Sequence, residues 1–489
     1  MKRAEKLQNA IGMIGEDLIY EAKEKTKNRK KIGWTASIAA CLAVCIIFGA
    51  IFIPGWNAVS PKAFALAIAV YPDMPEHPGN GSNEKKYDEW ASYRRENRKA
   101  FYALDLDLND FFGATIAEFL SGSNGKNVVY SPLNVYMALA MTAEMTDGES
   151  RAQILALLGE SDIETLRHEA NTVWNATYVD DGSKKALLAS SLWLSDNIGF
   201  NQSTLDLIAE NYYASSYKGR MGSEEYTTAY KNWINEQTDD LLKDSVNNLD
   251  LSAETILALA TTVNFFARWD IEFREKNNKE LVFHGTDGDK ETEFMYASYD
   301  SSYFWGEKFS AVAQDFTDGG TMYFILPDEG VSPEELLENE EAMQFIIGEN
   351  RKNNQYLKVN RSIPKFDVAS ELDLVGGLQD LGVTDIFSFE ASDFTPLTND
   401  TDVAISKATH GARVMIDEEG CKAVAFTALE YTGSPPPPDE IVDFVLDRPC
   451  IFVITAQTDL PLFVGRVNNI AEQTKKGTSK RSAFSITYY

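Results

Sequence analysis

Few side chains in this 489-residue chain are arranged for catalysis or for metal binding. Ser131, a possible nucleophile, lies outside any Gly-x-Ser-x-Gly motif, and neither common glycine-rich phosphate-binding motif occurs in the chain. The four histidines are widely scattered, so we expect no metal site and no cofactor. Acidic pairs such as Asp239-Asp240 and Glu418-Glu419 are typical of solvated loops. The sequence therefore predicts that the protein is not an enzyme.

The composition predicts a large folded protein with an acidic surface. Hydrophobic residues make up 44% and aromatic residues 11% of the chain, which is enough for a sizeable core and excludes global disorder. The formal net charge of −29 disfavours nucleic acid as a partner, because phosphate binding needs a basic surface. Only four cysteines occur, and Cys41 and Cys45 lie in an apolar run, so a disulfide scaffold is excluded.

The N-terminal part of the chain predicts a membrane anchor. Residues 1–31 carry nine basic and five acidic side chains, and residues 32–53 carry no charge. At ~1.5 Å per residue, a helix of that length covers the ~30 Å hydrocarbon core of a bilayer. The positive-inside rule then predicts a cytoplasmic segment 1–31, a signal anchor 32–54 and an extracytoplasmic remainder. Cleavage of a signal, or lipid attachment at Cys41, would instead give a secreted or a lipid-anchored protein.

The rest of the chain predicts a stalk, one main domain and a tail. Prolines and glycines interrupt the expected stalk or linker 55–105, whose charged part is compatible with a short helix packed on the domain or with a solvated spacer. Helical spacing of apolar residues begins at Leu108, and strand-like runs then alternate with helices. We expect an α+β domain over 106–472 and a C-terminal tail over 473–489. The predicted strands are 186–194, 257–266, 321–326, 356–364, 403–416, 451–455 and 461–467.

Several segments together carry a family resemblance that none of them carries alone. The most telling are NVVYSPLNV at 127–135, SKATHGARV at 406–414 and PLFVGRV at 461–467. Further matching blocks are 261–269, 322–327, 363–366, 381–387 and 416–420. With these blocks in this order, the chain from Leu108 to Ile470 resembles the serpin family of serine protease inhibitors.

The resemblance implies a serpin fold of three β-sheets with eight or nine helices and an exposed reactive-centre loop. It also implies a metastable native state. A target protease cleaves the loop, and the loop then inserts into the large sheet as a new strand while the protease is still attached as an acyl-enzyme. Such a protein is a single-use inhibitor, and we expect it to be a monomer.

By the resemblance, the reactive loop runs from Glu418 to about Asp439. Its expected hinge comprises Glu418, Glu419, Gly420, Cys421, Lys422, Ala423, Val424 and Ala425. Every second residue after Gly420 is small and uncharged (Cys421, Ala423, Ala425, Thr427), whereas the other set contains Lys422 and Phe426. A strand buried on one face needs this alternation. Lys422, Val424 and Phe426 nevertheless make the hinge heavier than is usual in the family.

The position of the scissile bond stays open. Family spacing puts the cleaved bond after Ser434, but Pro435 follows, and serine proteases cleave poorly before proline. The residues that remain candidates for the reactive bond are Gly433, Ser434, Thr432 and Tyr431. Small residues there favour an elastase-like target and Tyr431 a chymotrypsin-like one. A trypsin-like target is disfavoured because neither Arg nor Lys occurs between Ala423 and Pro438.

Two further sets of residues match family positions that control opening of the large sheet. The expected polar cluster, called the shutter, comprises Ser131, Asn134, Thr261 and His410. Trp269 matches the tryptophan of the breach, where the loop enters the sheet.

These features predict a bacterial, membrane-anchored inhibitor that forms a covalent complex with a serine protease. The alternative is a non-inhibitory binding protein with the same fold at the cell surface.

Overall fold

The computed structural model describes residues 59–79, 84–122, 125–243, 246, 249–400, 403–421 and 440–470. The expected cytoplasmic segment 1–31, the anchor 32–54 and the tail 473–489 lie outside the described residues. Within the described ranges, no helix combines the length and the apolarity that crossing a bilayer requires.

Nine α-helices of the described chain fall within the expected domain, as the family resemblance implied, and a tenth precedes it. They are α1 (Glu84–Phe101), α2 (Asn109–Ser121), α3 (Pro132–Met145), α4 (Gly148–Leu158), α5 (Ile163–Thr177), α6 (Gln202–Asn211), α7 (Glu224–Gln237), α8 (Pro333–Leu337), α9 (Glu340–Ile347) and α10 (Val375–Asp380). Helix α3 is buried on all sides, because it contains no charged residue before Glu144. Ser131 caps its first turn and Pro132 follows directly, as the sequence predicts.

One eight-stranded sheet, called here the large sheet, forms the centre of the domain. Its strands in spatial order are β1 (Ala65–Ala67), β5 (Ala214–Gly219), β4 (Lys185–Ser195), β6 (Leu257–Arg268), β14 (Gly420–Cys421), β13 (Ile405–Ile416) and β12 (Phe366–Asp373), with β3 (Val179–Asp180) paired to β4. Helix α7 packs on one face of this sheet, which is called the outer face below. On the other face, side chains such as Phe265 and Val414 are buried in the core.

The second sheet has nine strands, so the described residues form two hydrogen-bonded sheets where the resemblance implied three. In spatial order these are β15 (Ile441–Val445), β11 (Asn354–Pro364), β8 (Gly288–Trp305), β9 (Phe309–Asp315), β10 (Thr321–Pro327), β16 (Cys450–Thr455), β17 (Pro461–Val467) and β2 (Val128–Tyr130), with β7 (Lys279–Gly285) paired to β8. Strand β8 is 18 residues long and pairs with β11 over most of its length and with β9 at its end. That continuous strand joins two of the expected sheets into one hydrogen-bonded sheet.

The described part of the expected stalk 55–105 is not a spacer but part of the folded domain. Strand β1 pairs with the edge strand β5. On helix α1, the indole Nε1 of the buried Trp90 donates to Asp181 Oδ2 at 3.0 Å, and the buried Arg94 donates through Nε to Gln457 Oε1 at 3.1 Å. These partners lie 91 and 363 residues away in the chain, so the packed helix, and not the solvated spacer, is the outcome.

Candidate functional site: the hinge and the gap in the large sheet

Strands β6 and β13 lie side by side at one end of the large sheet and are separated at the other. They pair in parallel from Leu257–Ile405 as far as Thr262–Gly411. Beyond that point the two strands share no ladder pair in the described chain, and β14 lies between them, because Cys421 pairs with both Ala267 and Ile416. The stretch of β6 at 263–266 and of β13 at 412–415 borders the opening, which is called the gap below.

Two residues of the expected hinge lie inside the sheet rather than in an exposed loop. Gly420 and Cys421 form β14, and Cys421 is only 2% exposed. Burial raises the pKa of the Cys421 thiol to about 12, so the thiol is neutral. The expectation of an exposed loop is therefore wrong for Gly420 and Cys421, because a pairing with two distant strands, which sequence spacing does not encode, holds them in the sheet. Glu418 and Glu419 form the bend before β14, and Glu419 is exposed.

Gly420 is held where no side chain fits. A Cβ atom at this position would lie 2.3 Å from the carbonyl oxygen of Ala267 and 2.8 Å from Cα of Arg268. Asp417 supports the turn, since its Oδ1 accepts from the backbone N–H groups of Glu419 (2.9 Å) and Gly420 (3.2 Å). The close approach of the two backbones explains why glycine occupies the first position of β14.

Trp269 contacts the segment that leads into the hinge. Its indole Nε1 donates to the carbonyl oxygen of Asp417 at 2.9 Å, and its backbone N–H donates to that of Glu419 at 3.1 Å. The ring stacks on Phe316 with centroids 4.8 Å apart and planes 10° from parallel. Trp269 thus directly follows β6 and lies beside the segment that leads into β14.

An ion-pair network fixes Glu418. Lys365 Nζ lies 2.6 Å from both Glu418 Oε1 and Glu293 Oε2, and Asn278 Nδ2 donates to Glu418 Oε1 at 2.6 Å. Burial acts to raise the pKa of the Glu418 carboxyl, but the hydrogen bonds from Lys365 and Asn278 outweigh it, so this pKa lies below its ordinary value. Glu418 is therefore a fixed anion at neutral pH.

Three of the four expected shutter residues lie together where β6 and β13 pair. The buried ring of His410 accepts at Nε2 from the backbone N–H of Ser131 at 3.0 Å, and its Nδ1 lies 3.5 Å from Thr261 Oγ1. Since Nε2 accepts, the proton is on Nδ1 and points to the Thr261 hydroxyl. Burial lowers the pKa of His410 to about 4, so the ring is neutral at physiological pH.

Asn134, the fourth expected shutter residue, is placed differently. Its backbone N–H donates to Ser131 Oγ at 3.4 Å, which is the helix cap, but its buried side-chain amide has no hydrogen-bond partner among the described residues. Asn134 thus lies beside Ser131 at the start of α3, and among the described residues its side chain makes no bond to His410.

The remaining expected residues fall outside the described chain. These are Lys422, Ala423, Val424 and Ala425 of the hinge, and the reactive-bond candidates Tyr431, Thr432, Gly433 and Ser434.

A segment that the sequence did not mark crosses the outer face over the gap. After α7, Asp239 Oδ2 accepts from Asn264 Nδ2 on β6 (2.8 Å) and from Lys185 Nζ on β4 (3.0 Å). Two residues later, the carbonyl oxygen of Leu241 accepts from Arg413 Nη1 on β13 at 2.7 Å. The segment is thus bonded to both sides of the gap. The only local signal for it was the acidic pair Asp239-Asp240, whose residues both adopt positive φ.

Comparison with known proteins agrees with this arrangement. The family model described as Serpin (serine protease inhibitor) matches residues 107–470, about three quarters of the chain. The chain belongs to the serpin family. Among its curated relatives, alpha-1-antiproteinase of Rattus norvegicus is 25% identical over 391 residues, which cover 76% of this chain and 91% of that protein.

Solved serpin structures match over almost their whole length. The native state of the thermophilic serpin tengpin superimposes with a TM-score of 0.67 at 25% identity, covering 82% of this chain and 98% of that one. Thyroxine-binding globulin in complex with thyroxine gives a TM-score of 0.65 at 20% identity, with 75% and 99% coverage, and that likeness shows the fold alone.

Proposed function

We propose that this serpin inhibits serine endopeptidases as a suicide substrate, by loop cleavage, formation of an acyl-enzyme and insertion of the cut loop into the large sheet. The observation that carries the proposal is the register of Cys421. Its side chain is buried between Ala267 and Ile416, so an extended strand that continues from it would place Ala423, Ala425 and Thr427 on the same buried side.

The gap supports the same proposal. A strand that enters between β6 and β13 needs unpaired backbone on both sides, and the stretches 263–266 and 412–415 supply it next to β14. No proline occurs from Glu418 to Ser434, so every backbone N–H of that segment is available to the ladder.

We further propose an elastase-like or a chymotrypsin-like target, from the residues at 431–434. The decisive experiment incubates the protein with proteases of both kinds and searches a denaturing gel for a complex that survives boiling. A complex whose mass is the sum of the serpin and the protease supports trapping. If every protease only cleaves the loop, the alternative of a non-inhibitory binding protein on the serpin fold replaces this proposal.

We also propose that residues 32–54 anchor the protein in a bacterial cell membrane with the serpin domain outside, where it would defend the cell surface against secreted proteases. The support is the charge step in the sequence, from +4 over residues 1–31 to −33 over the remainder. Protease added to intact cells should remove the domain and leave residues 1–31 protected. Release of the intact domain into the medium would instead indicate a cleaved signal.

A further inference from the structure

An apolar cavity lies between α7, the segment that follows it and the outer face of the large sheet. Its enclosed volume is about 20 Å³, and it is partly open to solvent. Its upper wall is apolar and includes Ile234, Leu242 and Leu249. Its floor belongs to the neighbouring strands β6 and β13, through Ala260, Thr262, Thr409 and Gly411. The cavity therefore lies directly over the seam at which these two strands pair.

The register of the hinge predicts which loop residue would reach this seam. Cys421 lies opposite Ala267 on β6 and Ile416 on β13, and the loop would run antiparallel to both strands. Counting five residues along each strand brings Phe426 opposite Thr262 and Gly411. Both of these residues line the cavity.

The face of the sheet on which Phe426 would lie is also the face that carries the cavity. Cys421 faces the buried side, and successive strand residues alternate, so a residue five positions later faces the outer side. Thr262 is likewise an odd number of residues from the core-facing Ala267, and it lines the cavity from the sheet. Phe426 would therefore face α7 and its following segment, not the core and not open water.

Insertion would also make room for a benzyl side chain. A new strand moves β6 and β13 apart by about one extra strand spacing, ~4.8 Å, and so enlarges a cavity whose floor is their seam. At the seam Gly411 contributes no side chain, and a Cβ atom there would lie 3.1 Å from Leu242 Cδ1. Leu242 therefore packs directly over Gly411, which leaves an apolar side chain next to the position that Phe426 would take.

We propose that this cavity is the socket that receives Phe426 when the cleaved loop inserts, and that the burial of Phe426 helps to drive insertion. The proposal rests on the insertion step of the proposed function. It gives a role to the bulky residue that makes the hinge heavier than is usual in serpins. On the inserted strand, Phe426 would pack against apolar side chains, and this burial would stabilise the inserted form. A phenylalanine exposed to solvent at the same position would give no such stabilisation.

The main test replaces Phe426 by alanine in the full-length protein. The loop is cut between Leu429 and Ser434, and the midpoint of thermal unfolding is measured before and after cutting. We expect Phe426→Ala to leave the midpoint of the intact protein unchanged and to reduce the rise on cutting by about 5 °C, because the socket stays empty in the inserted form. Phe426→Leu should retain most of the rise, since leucine still fills an apolar socket.

A second variant changes a residue of the sheet that lines the socket. The hydroxyl of Thr262 is buried and has no hydrogen-bond partner in the part of the chain that the structure describes, so Thr262→Leu should not lower the midpoint of the intact protein. The larger side chain occupies the place of Phe426, so Thr262→Leu alone should reduce the rise on cutting. Combining it with Phe426→Ala should restore part of that rise.

Val424→Ala is the matched control. Val424 faces the same side as Phe426, but the register puts it opposite Asn264 and Arg413, under the bonded segment rather than at the cavity. Its rise on cutting should match that of the unmodified protein. An equal loss for Val424→Ala and Phe426→Ala would overturn the socket, and so would an unchanged rise for Phe426→Ala.

The two proposals fail in different ways. A covalent protease complex combined with no effect of Phe426→Ala on the cleaved form overturns the socket and leaves the inhibitory function standing. Loop cutting that raises the midpoint in a Phe426-dependent way, with no covalent complex for any protease, supports the socket and overturns the function.

Discussion

Replacing Ala423 by arginine tests whether the hinge continues in the register that Cys421 begins. The antiparallel count puts Ala423 opposite Phe265 and Val414, which are 5% and 1% exposed in the core. Lys422, one residue earlier, comes opposite Phe266 and Met415 on the outer face. The two positions are adjacent in the chain, yet an arginine should block insertion at 423 and have little effect on it at 422.

The expected effect is large because a guanidinium at 423 has to enter an apolar environment. Burying an unpaired charge costs at least ~3 kcal/mol, even after local relaxation. If that cost adds to the activation free energy of the first step of insertion, the insertion rate falls about 150-fold, since each ~1.4 kcal/mol is a factor of ten. Hydrolysis of the acyl-enzyme would then finish first, and the inhibitor would be consumed as a substrate.

The assay mixes an elastase-type protease with each variant and follows the products on a denaturing gel. We expect Ala423→Arg to give cleaved serpin without covalent complex and Lys422→Arg to give nearly the complex of the unmodified protein. Equal loss in both variants would refute the register. Full activity of Ala423→Arg would refute the claim that this position enters the core during trapping.

Three further predictions concern the hinge, the shutter and the metastable state. Gly420→Ala should expel β14 from the sheet, because its Cβ would meet the Ala267 carbonyl oxygen at 2.3 Å, and hydrogen exchange at Cys421 should rise by more than about tenfold. His410 has a pKa near 4 in the folded protein, below the ordinary value of 6.5, so the folded state loses stability as pH falls through this interval. The loss should reach ~3 kcal/mol in urea titrations and be absent in His410→Asn. Cutting the loop between 429 and 434 should raise the midpoint of thermal unfolding by about 10 °C or more, and an unchanged midpoint would favour the non-inhibitory alternative.

Much of the sheet framework could be predicted from local apolar runs. The predicted strand 461–467 agrees with β17, and 257–266 falls short of β6 by two residues. These strands are buried over nearly their whole length, so an uninterrupted apolar run predicts them well. The family resemblance also grouped His410, Ser131 and Thr261 in one cluster, because three separate family motifs carry them.

The features that the sequence left open or did not predict depend on distant partners. Helix α1 has the charged composition of a solvated segment, yet Trp90 and Arg94 are buried by Asp181 and Gln457. The pairing of Cys421 with Ala267 and Ile416 joins residues from two other strands. Neither contact has a local period, so neighbouring residues could not decide between a packed and a solvated α1, and they gave no sign of the Cys421 pairing.

The pairing of β14 has a consequence for kinetics. Bringing the two ends of a flexible segment together costs entropy, and the first pair of any ladder bears most of that cost. Here the first pair exists before any protease arrives, because Gly420 and Cys421 already lie between the strands that would have to receive the loop. Insertion would then need no nucleation event. It would only extend the existing pairs of Gly420 and Cys421, one residue after another.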